Sequence, residues 1–415
     1  MSCHQAGKNA PLTKEPFAMS SKKNRHTYRN LNFILNFFFS QQSKTSQWTH
    51  PRTGRSKRIT GGLPIGWEKY YDEQSRRFMF LNKTTQQRTN VDPRLAFAVE
   101  EPTQDVTRVR QRFDSCSTAL QVLHGKDLHG RIALITGANC GIGFETARSL
   151  AQHGCEIILA CRNKTSAEAA IERIAQERPA ARSRCRFVAL DLGSLRSVKQ
   201  FVAEIKESVS SHIDYLILNA GVFALPYTKT EDGLETTFQV SHLSHFYLTL
   251  QLETLFDYKT RIVVLSSESH RFANLPVENL AVHHLSPPPE KYWSMMAYNN
   301  AKLCNVLFAQ ELAQRWKQRG ISVFSLHPGN MVSTDLSRNY WFYRVLFAIV
   351  RPFTKSLQQA AATSIYCATA NELTGLSGLY FNNCFFCEPS KLSKSPSLQR
   401  QLWEISENLI KELVE

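Results

Sequence analysis

The chain has 415 residues, 42% hydrophobic, 11% aromatic and 20% charged. That supplies a large buried core and excludes both a disulfide-stapled miniprotein and a chain disordered throughout. The formal charge of +15 suggests a nucleic-acid binder only until it is located, because residues 1–60 hold six lysines, five arginines and one acidic residue, Glu15, and so account for +10 of it.

No specific nucleic-acid partner is therefore expected. The basic run Arg52-Thr-Gly-Arg55-Ser-Lys57-Arg58 is read as a solvated linker, with a nuclear-import or anionic-surface patch as the alternative. The longest apolar runs, Phe33–Phe39 with Asn36 inside it and Tyr340–Val350 broken by Arg344, fall short of the roughly 20 residues a bilayer span needs. No transmembrane span is expected. The polar start with Lys8 and Lys14 lacks a signal-peptide core, and the cysteines are scattered from Cys3 to Cys387. Both features suit the cytoplasm, with the nucleus as a second location. Cys384-x-x-Cys387 has no second pair and no histidine at ligand spacing, so it is read as packed thiols, and no metal is expected.

In chain order, residues 1–43 show no sustained periodicity and are expected to be disordered or an atypical N-terminal segment. Residues 44–60 carry Trp48-x-x-Pro51, the end of a partial module, and the basic linker. A fuller copy spans 61–96: Leu63-Pro64-Ile65-Gly66-Trp67 opens it, Lys69–Tyr71 and Arg77–Leu81 alternate like short strands, and Pro93 closes it. This stretch resembles a WW domain, a small three-stranded antiparallel sheet that grips proline-rich ligands between aromatic walls. By that resemblance Trp67, Phe80 and Pro93 build the miniature core. Met79, Lys83 and Asn90 stand where the ligand-facing Tyr, the His and the second Trp belong, so proteins bearing Pro-Pro-x-Tyr are expected to bind only weakly. Of the partial first copy, only the last strand is expected.

Residues 97–123 read as a linker. From there to residue 385 apolar runs alternate with amphipathic stretches: Ile132–Ile135, Ile157–Cys161, Phe187–Leu190, Tyr215–Leu218, Ile262–Leu265, Val323–Leu326 and Leu379–Phe381. The pattern predicts an α/β fold over 124–385, a doubly wound parallel sheet of Rossmann type with helices on both faces. Residues 386–415 are expected to end in an amphipathic helix through Leu398, Leu402, Ile405, Leu409 and Leu413.

After the first of these strands comes Thr136-Gly137-Ala138-Asn139-Cys140-Gly141-Ile142-Gly143, where glycines at a strand-to-helix turn let a diphosphate approach the helix N-terminus. The second strand ends in Ala160-Cys161-Arg162-Asn163. An NAD site keeps an acid there for the ribose 2′-hydroxyl, whereas a guanidinium favours a 2′-phosphate, so NADP(H) is the expected cofactor. Further on, Tyr298-Asn299-Asn300-Ala301-Lys302 places a phenol and an ammonium on one helix face, and the expectation is that Lys302 lowers the phenol pKa. Ser266-Ser267 ends the fifth strand with hydroxyls able to hold a carbonyl oxygen beside that phenol.

Across about residues 128–385 these motifs resemble the short-chain dehydrogenase/reductase family, with Asp191-Leu192, Asn219-Ala220-Gly221 and Pro328-Gly329 falling in the family's order. The resemblance implies Tyr298 as general acid/base, Lys302 as its partner and the anchor of the nicotinamide ribose, and Ser267 as the residue orienting the substrate oxygen. It implies that Asp191 and Leu192 border the adenine, that Asn219, Ala220 and Gly221 shape the cofactor cleft, and that Pro328-Gly329 abuts the nicotinamide. The separation of Ser267 from Tyr298, together with Ser267-Glu268-Ser269-His270, resembles the retinol-dehydrogenase-like branch. The WW modules ahead of such a domain narrow the resemblance and imply a signalling role in growth control and cell death.

Ser241 occupies the place of the family's fourth catalytic residue, an Asn that holds a relay water, and slower turnover is expected. His242 and His245 are read as helix-packing residues. The segment Asn339–Tyr343 is either a lid suited to a lipid-like carbonyl or alcohol, or plain core helix. Two functions are thus carried forward: an oxidoreductase, and an adaptor that is weakly catalytic or non-catalytic.

Overall fold

A computed structural model describes residues 38–39, 46–47, 63, 66–73, 77–83, 86, 88–89, 106, 109, 111–329 and 355–414. The chain divides into two compact units, Met1–Ala98 and Val99–Glu415. Trp48, Pro51, Asn90, Pro93, the basic run at 52–58 and the segment 339–343 lie outside the described residues.

In the first unit, β1 (Phe38–Phe39) pairs antiparallel with β2 (Ser46–Gln47). Two short strands thus lie ahead of the second module, where only the last strand of the first copy was expected. Of the phenylalanine run, Phe38 and Phe39 form β1. The second module is a meander of β3 (Trp67–Asp72), β4 (Arg77–Asn82) and β5 (Arg88–Thr89), with Trp67 opposite Asn82 and Phe80 opposite Thr89. Phe80 is buried, and Met79 is half-buried opposite Tyr70. Lys83 is exposed, its ammonium 3.0 Å from Glu68. A pair this exposed contributes little to stability.

The second unit is built on β6 (Ile132–Thr136), β7 (Glu156–Cys161), β8 (Cys185–Ala189), β9 (Tyr215–Leu218), β10 (Arg261–Leu265), β11 (Ser322–His327), β12 (Leu379–Asn382) and β13 (Phe385–Cys387). Their order across the sheet is β13-β12-β11-β10-β9-β6-β7-β8. All neighbours are parallel except β13, which folds back antiparallel on β12. The seven expected strands are present, and β13 is an eighth that forms where Asn383 and Cys384 turn through positive φ.

The helices follow from the sequence between the strands. Among the described residues, the α-helices of five or more residues are α1 (Ala119–Leu123), α2 (Gly141–Gln152), α3 (Lys164–Glu177), α4 (Leu195–Ser208), α5 (Ser244–Gln251), α6 (Ser294–Arg315), α7 (Leu357–Thr369) and α8 (Pro396–Val414). Asn163 and Ser194 cap α3 and α4 by accepting from the backbone N–H three residues on, at 2.9 and 3.1 Å. One face of the sheet packs Ile135, Ile157 and Phe324 against α1, α2 and α7; the other packs Leu134, Ile158 and Leu216 against α4, α5 and α6. Parallel strands buried on both faces read as continuous apolar runs for this reason.

The stretch 97–123 is more than a linker: Val109, Ala119, Val122 and Leu123 are buried in the main core. At the other end α8 buries Leu398, Leu402, Trp403 and Leu409 against the domain. Among the described residues no helix is long and apolar enough to cross a membrane.

Candidate active site

The carboxyl ends of the parallel strands converge on the expected residues. Gly137 follows β6 with φ +66°, a conformation that glycine adopts without strain. Gly143, in the first turn of α2, lies so close to that loop that an added Cβ would lie 2.3 Å from the Gly137 carbonyl oxygen and 2.4 Å from Asn219 Nδ2. Loop and helix are therefore locked together. Cys140, at the N-cap of α2, gives no side-chain hydrogen bond to the first turn. An uncapped N-terminus behind a glycine turn fits the diphosphate of a nicotinamide dinucleotide. Arg162 is exposed at the end of β7, Asp191 accepts from Gly193 N at 2.8 Å, and the Leu192 carbonyl accepts from Ser244 Oγ at 2.7 Å. Gly329, after Pro328, has φ +119° and is buried.

Thr136 joins three parts of this floor. Its hydroxyl oxygen accepts from the N–H groups of Asn219 and Ala220 at 2.9 and 3.0 Å and lies 2.9 Å from His245 Nε2. With both lone pairs engaged, the hydroxyl proton goes to Nε2, so the imidazole carries its own proton on Nδ1, which faces the Ser241 carbonyl at 3.3 Å. Asn219 Nδ2 donates back to the Thr136 carbonyl at 2.8 Å. Burial holds His245 down to about 3, so it is neutral.

Tyr298 and Lys302 lie on α6, which is buried nearly all round. The Ser267 side chain stands close enough to the phenol to lower its pKa, and the Phe223 ring meets the Tyr298 ring edge-on at 4.8 Å. Lys302 Nζ sits 5.6 Å from the Tyr298 ring centroid and donates to the Leu265 carbonyl at 3.2 Å, an acceptor shared with Asn305 Nδ2 at 3.0 Å. Gly221 lies between Lys302 and Ser241: a Cβ there would stand 3.2 Å from Lys302 Nζ and 3.5 Å from Ser241 Oγ. Tyr298, Lys302, Ser267, Ser241 and Asn219 to Gly221 are thus brought into one site.

The electrostatics depart from expectation. Burial pushes the Tyr298 phenol up to about 12, against a smaller lowering by the Ser267 side chain, and burial holds Lys302 down to about 8. An ammonium that is itself stripped of water and faces the ring does not offset the desolvation of the phenol. Ser241 falls in a π-helical turn, Gln239–Leu243, and its hydroxyl is 3.5 Å from Val222 N.

The two histidines divide. His242 is a packing residue, its ring between Phe238, Phe246 and Phe308 at 5.7, 6.3 and 6.0 Å, whereas His245 belongs to the polar floor, which corrects the reading of both as packing. Thr136, His245 and Asn305 were not anticipated as site residues. Asn305 was within reach of pattern reasoning, since Tyr298, Lys302 and Asn305 step by four and three along one helix face.

Residues 131–277 match the short chain dehydrogenase family model. The chain is 90% identical over 378 residues to a WW domain-containing oxidoreductase of Drosophila melanogaster, covering 91% of this chain and 92% of that protein. It is 37% identical over 298 residues to retinol dehydrogenase 12 of Mus musculus, covering 71% and 89%. Among solved structures, an uncharacterized protein from Mycobacterium paratuberculosis superposes with TM-score 0.54 at 28% identity, covering 69% of this chain and 95% of that one. Fold, site geometry and these similarities agree: the chain belongs to the short-chain dehydrogenase/reductase family, among the WW domain-containing oxidoreductases.

Proposed function

We propose that the chain is an NADP(H)-dependent oxidoreductase that reduces a lipid-like carbonyl compound to its alcohol, with Tyr298 as proton donor. The observation that carries this reading is the Ser267–Tyr298 hydroxyl pair with Lys302 beneath it, at the strand ends that face the glycine turn. Residues 137–143 would hold the diphosphate, Arg162 the 2′-phosphate, Asp191 and Leu192 the adenine, and Asn219–Gly221 with Pro328-Gly329 the nicotinamide half. A reduced nicotinamide, when bound, supplies the hydride.

The chain's own residues handle the oxygen. Ser267 holds the carbonyl oxygen, and Tyr298 Oη gives that oxygen its proton as the carbonyl carbon takes up the hydride. A phenol at about 12 is protonated at neutral pH, so the group in place is an acid, which favours the reductive direction. Lys302, next to Ser241 across Gly221, is positioned to return the proton to the phenolate. Phe223 against Tyr298 and the aromatic run Asn339–Tyr343 support an apolar substrate.

Tyr298→Phe should lower NADPH-dependent reduction of long-chain aldehydes by about 10²–10⁴-fold with NADPH affinity nearly unchanged; turnover equal to wild type would remove Tyr298 from the chemistry. Arg162→Ala should weaken NADPH about tenfold or more and leave NADH unaffected, measured by fluorescence titration. An equal effect on both dinucleotides would count against a 2′-phosphate contact.

A second role is supported by the complete β3–β5 sheet: recruitment of proline-rich proteins in growth-control and cell-death signalling. With Met79 and Lys83 on that module, Pro-Pro-x-Tyr ligands bind it weakly. Both roles belong in the cytoplasm, with nuclear entry through the basic stretch at 52–58.

A further inference from the structure

Away from the active site, at the amino ends of β6, β7 and β8, lies a cavity of about 420 Å³. The strand pattern builds it. Arg186 stands opposite Ile158 in the register, and two residues further along β8 Val188 is buried beneath the α4 layer. Side chains two apart on a strand share a face, so Arg186 extends that face toward the start of β8, and Arg184, the last residue of the 3-10 turn Pro179–Arg184 just before it, lines the same cavity. Helix α4 ends at Ser208, short of them, and the chain through Ser210 and Ser211 forms the far wall.

Arg184 Nε and Nη2 are buried without a hydrogen-bond partner, and no ion pair joins Arg184 or Arg186 to another described residue. Buried guanidinium N–H groups left unmatched cost stability, and the carbonyls at the end of α4, which would suit a cation, do not reach those two atoms. Two planar forks beside serine hydroxyls are the chemistry that recognises a tetrahedral oxyanion. Glu156 on the same wall leaves a local charge near +1, which disfavours a polyanion.

We propose that this cavity binds a small molecule through a phosphoryl group held by Arg184 and Arg186, separately from the dinucleotide site. A polyol phosphate monoester fits both the forks and the serine wall.

The test is calorimetric titration of the full chain, in phosphate-free buffer, with inorganic phosphate and with glycerol 3-phosphate. Binding should weaken about tenfold in Arg184→Leu and likewise in Arg186→Leu, while NADPH affinity stays at the wild-type value. Tighter binding of glycerol 3-phosphate assigns a monoester, and equal binding assigns free phosphate; either supports a phosphoryl site. Where Arg184→Leu does not fold, Arg184→Lys keeps the charge, loses the fork and should still weaken binding several-fold. The proposal is overturned by no binding of either probe up to about 10 mM, by binding that survives both arginine substitutions, or by binding lost in Arg162→Ala, which would put the probe in the cofactor's phosphate position. None of these readouts depends on turnover, so failure here is distinct from failure of the oxidoreductase reading.

Discussion

Both ends of the central sheet leave some buried polar atoms unmatched, and they differ in the charge of those groups: Ser269 Oγ and Asn382 Oδ1 toward the carboxyl end are neutral, whereas Arg184 at the amino end is a cation. At the carboxyl end, Thr136 satisfies two backbone N–H groups and one imidazole, and Ser266 Oγ donates to the Lys302 carbonyl at 2.6 Å. At the amino end, Asp214 is equally well served, by Arg131 at 2.6 Å and the Ile132 N–H at 2.8 Å, yet Arg184, just ahead of β8, keeps two buried nitrogens without a partner. The central strands β9, β10 and β11 are buried from end to end, whereas β7 opens on the exposed Glu156 and β8 carries the half-buried Arg186. The contrast sets polar side chains that tie the fold together against a cation that the fold leaves unmatched.

The largest effect expected from this contrast is at Thr136. Thr136→Val keeps the shape and removes the hydroxyl, so the N–H groups of Asn219 and Ala220 and the Nε2 atom of His245 all lose their partner inside the core. At about 1–3 kcal/mol for each unsatisfied buried group, partly relieved by relaxation, the substitution should cost about 4 kcal/mol in urea unfolding. A loss below about 1 kcal/mol would mean that the chain of hydrogen bonds is not structural, and the comparison between the two ends would fail.

The legibility of the two ends in the sequence differs for related reasons. The seven long strands were readable because a strand buried on both faces must be a continuous apolar run, and the glycine turn, Ser267, Tyr298 and Lys302 were readable because their chemistry needs fixed spacings. The short strand β13 was not, since its three residues follow Asn382-Asn383-Cys384 and carry too little pattern to separate from a turn. Residues 109–123 read as linker because their few apolar positions are spaced among polar ones, and only the tertiary fold reveals that Val109 and Leu123 are buried. The division of labour between His242 and His245 was equally hidden, because His242 meets rings from its own segment and from Phe308 on α6, whereas His245 meets Thr136, more than a hundred residues away in sequence. The expected lowering of the Tyr298 pKa failed because spacing reports proximity of a charge and says nothing of burial.

The next effect in size is acid sensitivity at His242. Burial among aromatic rings holds it at about 3, below the ~6.5 of an exposed histidine. Between those values the unfolded chain carries a proton that the folded one does not, so this group's contribution to stability is complete above about pH 6.5 and is lost as the pH falls toward 3. At pH 5 the loss from one such histidine is about 2 kcal/mol. His242→Phe, which keeps an aromatic ring against Phe238 and Phe308, should therefore unfold less steeply between pH 7 and about pH 5 than wild type. Parallel pH–stability curves would show that the ring is already solvated in the folded protein.

The smallest effect is the most diagnostic for the amino end. Arg184→Leu exchanges an unmatched guanidinium for an apolar side chain in the cavity that Ile158 also lines, so it should leave stability within about 0.5 kcal/mol of wild type, or raise it, where a paired buried charge would cost several. A loss of more than about 2 kcal/mol would mean that the arginine is held by the fold itself, and the two ends of the sheet would then follow one rule. A neutral result in buffer, followed by a melting temperature that glycerol 3-phosphate raises in wild type and not in Arg184→Leu, would set the ends apart: stability held within the chain at one, and supplied by a ligand at the other.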